Sequence, residues 1–227
     1  IRPDIKIDAS VRGFLEHLED EILMHIISRG QFATNPGFYK RGYKDNAYMS
    51  FLDEMLLAQE GVFSTFGRHK DPTERPFSIG LPPPEDKRVI EHPDIRLANY
   101  DSVNVTKHIM KEYLGLVPLI CAQGDDLDQY GSSAEHDISV LMRISQRIHS
   151  GIYVAEWKYF KEPEKFSHLA ARRERMPLLE ALTNTAVEEQ VLQRVHKKAA
   201  TIQSETNPSV RTVVSPKVIV DFYRNVI

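Results

Sequence analysis

Residues 133–160 read as one helix of more than seven turns, about 42 Å long at 1.5 Å per residue. No alternating strand pattern of useful length accompanies it, so whatever covers this rod must be helical too. Val11, Leu15, Leu18, Ile22 and Ile26 recur at three- and four-residue spacing and mark a first helix, with Asp8 or Ser10 as its N-cap. A second helix is expected over 47–66, with Phe51, Met55, Leu56 and Val62 inward. Residues 69–104 hold Pro72, Pro76, Pro82, Pro83, Pro84 and Pro93 and read as a long irregular connection, of the kind that is functional or covers an interface. Helix resumes over 105–113, and "AQGDDLDQYGSS" is a polar turn cluster. Further helices are expected over 164–172, 175–183 and 185–203, and a last one begins at Ser215-Pro216, a cap and first-position pair. With no internal repeat, residues 1–227 read as a single all-α domain, a multi-helix bundle.

The bulk numbers narrow the function. A net charge of −3 and a pI near 6.3 lack the basic footprint of a nucleic-acid binder. No apolar run approaches the roughly 20 residues of a membrane span. The single cysteine, Cys121, excludes an intrachain disulfide and a cysteine-based zinc site, and beside Ile120 it reads as a small core residue. The sequence starts at Ile1 rather than Met, so a preceding segment in the gene product is expected, with a processed targeting leader as one candidate. With one cysteine and no visible address the expected compartment is the cytoplasm, the alternative being a secreted or organellar protein.

The long helix carries Arg147 and Lys158, eleven residues apart. Eleven steps of about 100° make three turns plus roughly 20°, so the two cations share a face about 16 Å apart along the axis. Their side chains, reaching inward, leave a gap the size of a small anion. Either the pair is simply solvated or it is a site. Ile144, Ile148, Tyr153, Val154 and Trp157 favour a site, because a largely buried helix leaves cations unpaired only at a large cost. Arg143 and His149 lie on the same helix, and His149 reads as a core or interface histidine. Gly151, which in mid-helix costs about 1 kcal/mol against Ala, suggests close approach of another backbone. In "LTNTAVEEQVLQRVHKKA", Asn184 and Glu188 stack on one helix face. Together they can grip a hydroxyl, one donating and one accepting; alternatively Asn184 is a cap and Glu188 is solvated. Arg12 sits on the shoulder of the first apolar stripe, where a surface role competes with a site role. Two arginines, a lysine, an amide and a carboxylate, without a Cys–His pair, a Ser–His–Asp order or a phosphate-cradling glycine loop, suit one of two tasks. They can bind a small polyanion, or catalyse by positioning and electrostatics alone.

The same residues resemble a known family. "RIHSGIYVAEWKYF" is similar to the "RIHFGKFVAEAKF" element of the eukaryotic, fungal and plant-type all-helical chorismate mutases, and "LTNTAVEEQVLQRV" to their "TN-x-AVEE" helix. "LEDEILMHIISRGQFATNPGFY" resembles their first helix and following turn, and "SFLDEML", "DPTERPF" and "QYGSSAEHD" fall in the family's order. The resemblance implies a homodimer of all-helical subunits that rearranges chorismate to prephenate in aromatic amino-acid biosynthesis, toward phenylalanine and tyrosine, with no cofactor or metal. It implies that Arg147 and Arg12 bind the two substrate carboxylates and that Lys158 donates to the ether oxygen. Asn184 and Glu188 would hold the ring hydroxyl. The reaction is a unimolecular [3,3] shift, so it needs a held conformer and a stabilised ether oxygen rather than a nucleophile.

Two departures from the family stand out. Its last helix continues into a Pro-[IL]-Thr-Lys-like segment with a threonine and a glutamate that reach the site, whereas this sequence stops at "DFYRNVI". At the family's effector site for tyrosine and tryptophan, between subunits, Arg68, Gly131 and Ser132 match, but Gly67 replaces an arginine and Glu135 a threonine. Weak or absent binding of these effectors is therefore expected. The competing readings are a catalytically weak or inactive relative that binds chorismate or a protein, and a helical scaffold whose charges are merely solvated.

Overall fold

The computed structural model describes residues 7–42, 47–85, 102–205 and 212–226, and only helices and connections occur among them. The helices are α1 (Ile7–Arg29), α2 (Phe51–Thr65), α3 (Thr106–Ile120), α4 (Tyr130–His149), α5 (Gly151–Lys161), α6 (Pro163–Arg172), α7 (Arg175–Leu182), α8 (Thr185–Glu205) and α9 (Pro216–Val226). Among the described residues no helix is long and apolar enough to cross a membrane.

The α1 stripe behaves as its spacing demands. Leu18, Ile22, Leu23 and Ile26 are buried, and α1 lies along α4. Ile109, Tyr113 and Ile120 of α3, Ile138, Leu141 and Ile144 of α4, Val195 and Ala199 of α8, and Ile219 and Tyr223 of α9 complete the core. The first helix already includes Asp8 and Ser10, so neither caps it. In α2 a capping box replaces the expected start at 47: Ser50 Oγ accepts from Asp53 N at 3.1 Å, and Ser50 N donates to Asp53 Oδ2 at 2.9 Å. The inward set of α2 is Leu52 and Leu56, with Phe51 half-buried. Met55 and Val62, expected inside, are 38% and 56% exposed. An apolar run on every side of a helix does not say which side faces the core. Part of the proline-rich connection, 86–101, lies outside the described residues. Its described start is anchored by buried Glu60, whose carboxylate accepts from the amides of Phe77 and Ser78, both at 2.7 Å.

The expected single helix over 133–160 is two. Ser150 Oγ donates to the Gln146 carbonyl at 2.6 Å, sharing it with Ser150 N, and Tyr153 N bonds Ser150 O in a tighter i→i+3 turn. Serine bonding back to the i−4 carbonyl bends helices, and the ladder restarts at Gly151. Nothing lies within 4 Å of where a Cβ on Gly151 would sit, so the expected close backbone approach is absent there among the described residues. That role falls to Gly30, where a Cβ would collide with Val214 Cγ2 and lie 3.0 Å from the Ile120 carbonyl oxygen. α4 is largely buried, as expected, but α5 buries no residue fully. His149 is a core histidine: Val105 N donates to its Nε2 at 3.3 Å, and its Nδ1 is 2.7 Å from Ser145 O.

A polar hub joins α1, α3 and α4. Arg29 Nε donates to Asp137 Oδ1 at 2.7 Å, and Tyr113 and Tyr39 hydroxyls donate to the same carboxylate at 2.5 and 2.6 Å. Arg29 also reaches the Ala33 carbonyl at 2.9 Å and Cys121 Sγ at 3.2 Å. The two partners pull in opposite directions. Burial raises Asp137 despite Arg29, whereas Arg29, which burial would lower, is held above its ordinary value by Asp137. Three donors converging on one carboxylate are the surroundings of an ionised group, and the ion pair is the reading that geometry supports. Burial pushes the Cys121 thiol up to about 11, which makes it an inert core residue.

Candidate active site

α1, α4, α5 and α8 enclose a cavity of about 320 Å³. Val11, Leu15, Val154, Trp157, Val187 and Val191 give it apolar walls, and Arg12, Arg147, Arg194, Glu16 and Gln190 give it polar ones. The spacing explains the set: Val11, Leu15 and Arg12 fall on one side of α1, and Val187, Val191 and Arg194 follow three- and four-residue steps on α8.

Arg147 is the buried cation of the site. Its Nη1 donates to the Leu15 carbonyl, and its Nη2 lies 3.8 Å from Glu19 Oε2. Among the described residues its Nε is buried without a hydrogen-bond partner. The guanidinium stands 5.9 Å from the centre of the Tyr223 ring, whose hydroxyl is likewise buried without a partner. Burial raises Tyr223 well above an ordinary phenol, so it is a donor at any physiological pH. Arg147 therefore keeps donor capacity toward the cavity.

Glu19, fully buried on α1, is held from several sides. Arg194 Nε and Nη2 donate to its two oxygens at 2.8 and 2.7 Å, and Lys198 Nζ lies at 3.0 Å. Burial pushes its pKa up, and the bonds from Arg194 and Lys198 more than offset this, so it stays ionised with a lowered pKa. Arg194 also reaches Glu16 at 3.2 Å. These residues were not singled out from the sequence. The signal was present as acids at 16, 19 and 20 on α1 and bases at 194 and 198 on α8, each at helical spacing.

The structure thus brings Arg12, exposed on α1, and Arg147 to one cavity. The other expected site residues stand around it rather than in its lining. Lys158, one residue beyond Trp157, donates to the Leu182 carbonyl and lies 3.5 Å from that of Ala181, at the C-terminal end of α7. Asn184 Oδ1 accepts from Val187 N at 3.2 Å, the bond of an N-cap on α8, and Asn184 and Glu188 are both exposed beside lining residue Val187.

The expected effector residues do not meet within one chain. Arg68 Nη2 donates to Glu74 Oε1 at 3.0 Å, and Gln146 Nε2 donates to the same oxygen at 2.9 Å. Gly131, Ser132 and exposed Glu135 lie in the first turns of the same helix as Gln146. Fifteen residues separate Gly131 from Gln146, about 22 Å along the axis. Within one chain Glu135, eleven residues before Gln146, is therefore about 16 Å along α4 from the Arg68–Glu74 contact. Gly67 adopts φ +80°, a conformation that L side chains rarely take, which accounts for glycine there.

A helical cavity with a buried arginine and apolar walls suits a small organic anion. No family model matches the chain. Individual relatives do. The chorismate mutase of Schizosaccharomyces pombe is 36% identical over 200 residues, covering 84% of this chain and 77% of the relative. That of Emericella nidulans is 35% identical over 92% of this chain and 81% of its own. Among solved structures, Aro7p chorismate mutase from Candida albicans, in complex with L-Trp, matches with a TM-score of 0.87 and 34% identity over 98% of this chain and 85% of that one. AtCM1 with phenylalanine bound in its allosteric site matches with a TM-score of 0.86 and 29% identity, over 100% of this chain and 92% of that one. The chain belongs to the eukaryotic all-helical chorismate mutases. The amino-acid complexes of its relatives do not support the expectation of weak or absent effector binding.

Proposed function

We propose that this chorismate mutase rearranges chorismate to prephenate in the cavity between α1, α4, α5 and α8, within a single domain. Arg147 carries the reading: it is buried, and its Nε has no partner beside a cavity whose wall also offers Arg12. Chorismate is a dianion with a flexible enolpyruvyl arm. Two guanidinium forks can hold its carboxylates so that the arm lies over the ring, removing the conformational freedom that slows the reaction in water. As the C–O bond breaks, charge grows on the ether oxygen. Lys158 turns from the α7 carbonyls, which are neutral acceptors, to that oxygen and stabilises the transition state more than the ground state. Asn184 and Glu188, on the rim, take the ring hydroxyl. The relatives' shared name supports turnover over an inactive binding module. The experiment is loss of chorismate with appearance of prephenate, compared between the chain and Arg147→Ala. Equal rates in the two would remove Arg147 from the mechanism.

We further propose a homodimer. Exposed Met55, Val62 and Phe66 recur at seven- and four-residue spacing along one side of α2 and its cap, which suits a covered face. A monomeric mass by light scattering would refute it. A cytoplasmic location is proposed from the lone, buried Cys121, which fits a reducing compartment. Relatives in Zea mays and Petunia hybrida are chloroplastic, and cell fractionation distinguishes the two.

A further inference from the structure

α5 brings one large side chain to the cavity. Among the described lining residues Trp157 is the only aromatic one, and it is the only tryptophan of the chain. Val154 and Trp157 stand three residues apart on the cavity side of α5. The rest of the apolar wall is aliphatic, with Val11 and Leu15 from α1 and Val187 and Val191 from α8. The indole is half-buried, and Lys161, one turn further on, holds its Nζ over the ring at 5.5 Å from the centre. A cation over an aromatic face helps to fix where the indole stands.

Nothing in the rearrangement assigns this side chain a task. Its stretch, "VAEWKYF", departs here from the family element that residues 147–160 resemble, "RIHFGKFVAEAKF", which has alanine before the lysine. An indole in place of a methyl group takes up space at the wall. At about 320 Å³ the cavity sits at the lower end of the roughly 300–1,000 Å³ that small-molecule sites span. We propose that Trp157 is a specificity-determining residue. Its indole packs against the ring of the bound anion and sets the largest ring system that the cavity admits, a single six-membered ring. This role rests on the reading of the cavity as the site of chorismate rearrangement.

Two features separate this role from plain packing. α5 buries no residue fully, so the core is complete without the indole. Lys158, the next residue, is turned to the Leu182 carbonyl, so at this end of the cavity the wall is the indole and not the ammonium group. A packing residue governs stability and leaves the choice of ligand alone. A wall residue governs the difference in affinity between ligands of different bulk, because the larger one meets a clash that the smaller one avoids. In an apolar pocket a single methylene group separates ligands by about 10–200-fold. Removal of a whole indole is a large change on that scale. The apolar face of the ligand also covers indole surface that water otherwise meets, which favours the ligand that fits.

The probes are two saturated dicarboxylates with carboxylates on alternate ring carbons: cyclohexane dicarboxylate and the bulkier cage, adamantane dicarboxylate. Neither absorbs where indole is excited, so the emission of the single tryptophan reads binding to the parent chain directly. Calorimetry gives the affinities for the parent, Trp157→Ala and Trp157→Phe. Cyclohexane dicarboxylate should shift the emission of the parent saturably, and Arg147→Ala should weaken that binding about tenfold or more. Trp157→Ala should move the affinity ratio of the two probes about tenfold or more toward adamantane dicarboxylate. Trp157→Phe keeps a flat ring and should stay near the parent ratio. An unchanged ratio in Trp157→Ala would overturn the proposal. So would a parent emission that ignores both probes, or binding that is undiminished in Arg147→Ala; the emission reading needs no variant. Conversion of chorismate to prephenate is assayed on the same parent sample. Turnover with an unchanged ratio removes Trp157 and leaves the mutase reading standing. A shifted ratio without turnover removes the mutase reading and keeps the indole as the wall of a binding cavity.

Discussion

Arginines on α1 and α4 appear in two settings whose difference separates structure from chemistry. Arg29, on α1, is fully buried and closed: Asp137, Ala33 and Cys121 take its donors, and two tyrosine hydroxyls fill the rest of the Asp137 carboxylate. Arg147, on α4, is nearly as buried, but one carbonyl and a distant carboxylate occupy only part of it, and Nε is left over beside a cavity. A protein built for stability alone would not leave a buried donor unpaired, since that costs about 1–3 kcal/mol. The hub shows that this chain can satisfy a buried arginine. Of the two, Arg147 is the one that lines a cavity and so is placed to meet a ligand.

The strongest way to break the comparison is to open the hub. Asp137→Ala leaves Arg29 buried without its counter-ion and should cost about 3–5 kcal/mol of stability, measured by urea unfolding. The remaining folded fraction should turn over chorismate normally. A stable variant would mean that Arg29 finds another partner and that the hub is not closed in the sense argued. The cavity should respond in the opposite way. Lys158→Ala should leave stability nearly unchanged while cutting the rate about 10²–10³-fold, the usual worth of one donor to a developing anion. More than about a tenth of the activity remaining would remove Lys158 from the ether oxygen. Arg147→Lys should fail nearly as badly as Arg147→Ala, because lysine keeps the charge but not the planar fork. Near-normal turnover in the lysine variant would reduce the role of Arg147 to charge alone.

Both settings were unequally visible in the sequence. The α1 stripe was legible because Leu18, Ile22 and Ile26 face one core at one period. α2 was misread at Met55 and Val62 because hydrophobicity marks a face to be covered without saying by what. The break at Ser150 was hidden because a hydroxyl bonding back to Gln146 leaves the apolar period intact. Arg147 was legible from its spacing to Lys158 on an apolar helix, whereas the site role of Arg12 leans on the family resemblance, and their shared cavity gives both geometry. The clamp of Arg194 and Lys198 on Glu19, the hub at Asp137 and the His25–His136 contact join residues far apart in the chain, and no local pattern pairs them.

A smaller effect sharpens the hub side through pH. His149 accepts from Val105 N at Nε2, so the hydrogen bonds place its proton on Nδ1, toward Ser145 O. Burial lowers its pKa; the Ser145 carbonyl acts against this, and Arg75 adds to it. A depressed folded pKa means that the unfolded chain binds the proton first, at about 6.5. The stabilisation is therefore present above that pH and is lost as the pH falls toward the folded value. Unfolding free energy should decline on acidification from neutrality, and His149→Gln should flatten that decline. An unchanged slope would show that other groups govern it.

The smallest expected effect concerns Asn184, which has two candidate jobs. Its Oδ1 caps α8, and its amide is proposed to help hold the ring hydroxyl of the substrate. Aspartate keeps the cap oxygen and adds a charge that suits a helix N-terminus, but it has no N–H to donate. Asn184→Asp should therefore match the parent in thermal stability, whereas Asn184→Ala should lose about 1 kcal/mol. In activity the two should fall together, with the aspartate variant the poorer, because its carboxylate also repels a dianionic substrate at the rim. If the aspartate variant is fully active while the alanine variant is impaired only in stability, Asn184 is a cap and nothing more. The rim side chain would then belong with Arg29, among the groups that the fold has closed, and Glu188 alone would be left to meet the hydroxyl.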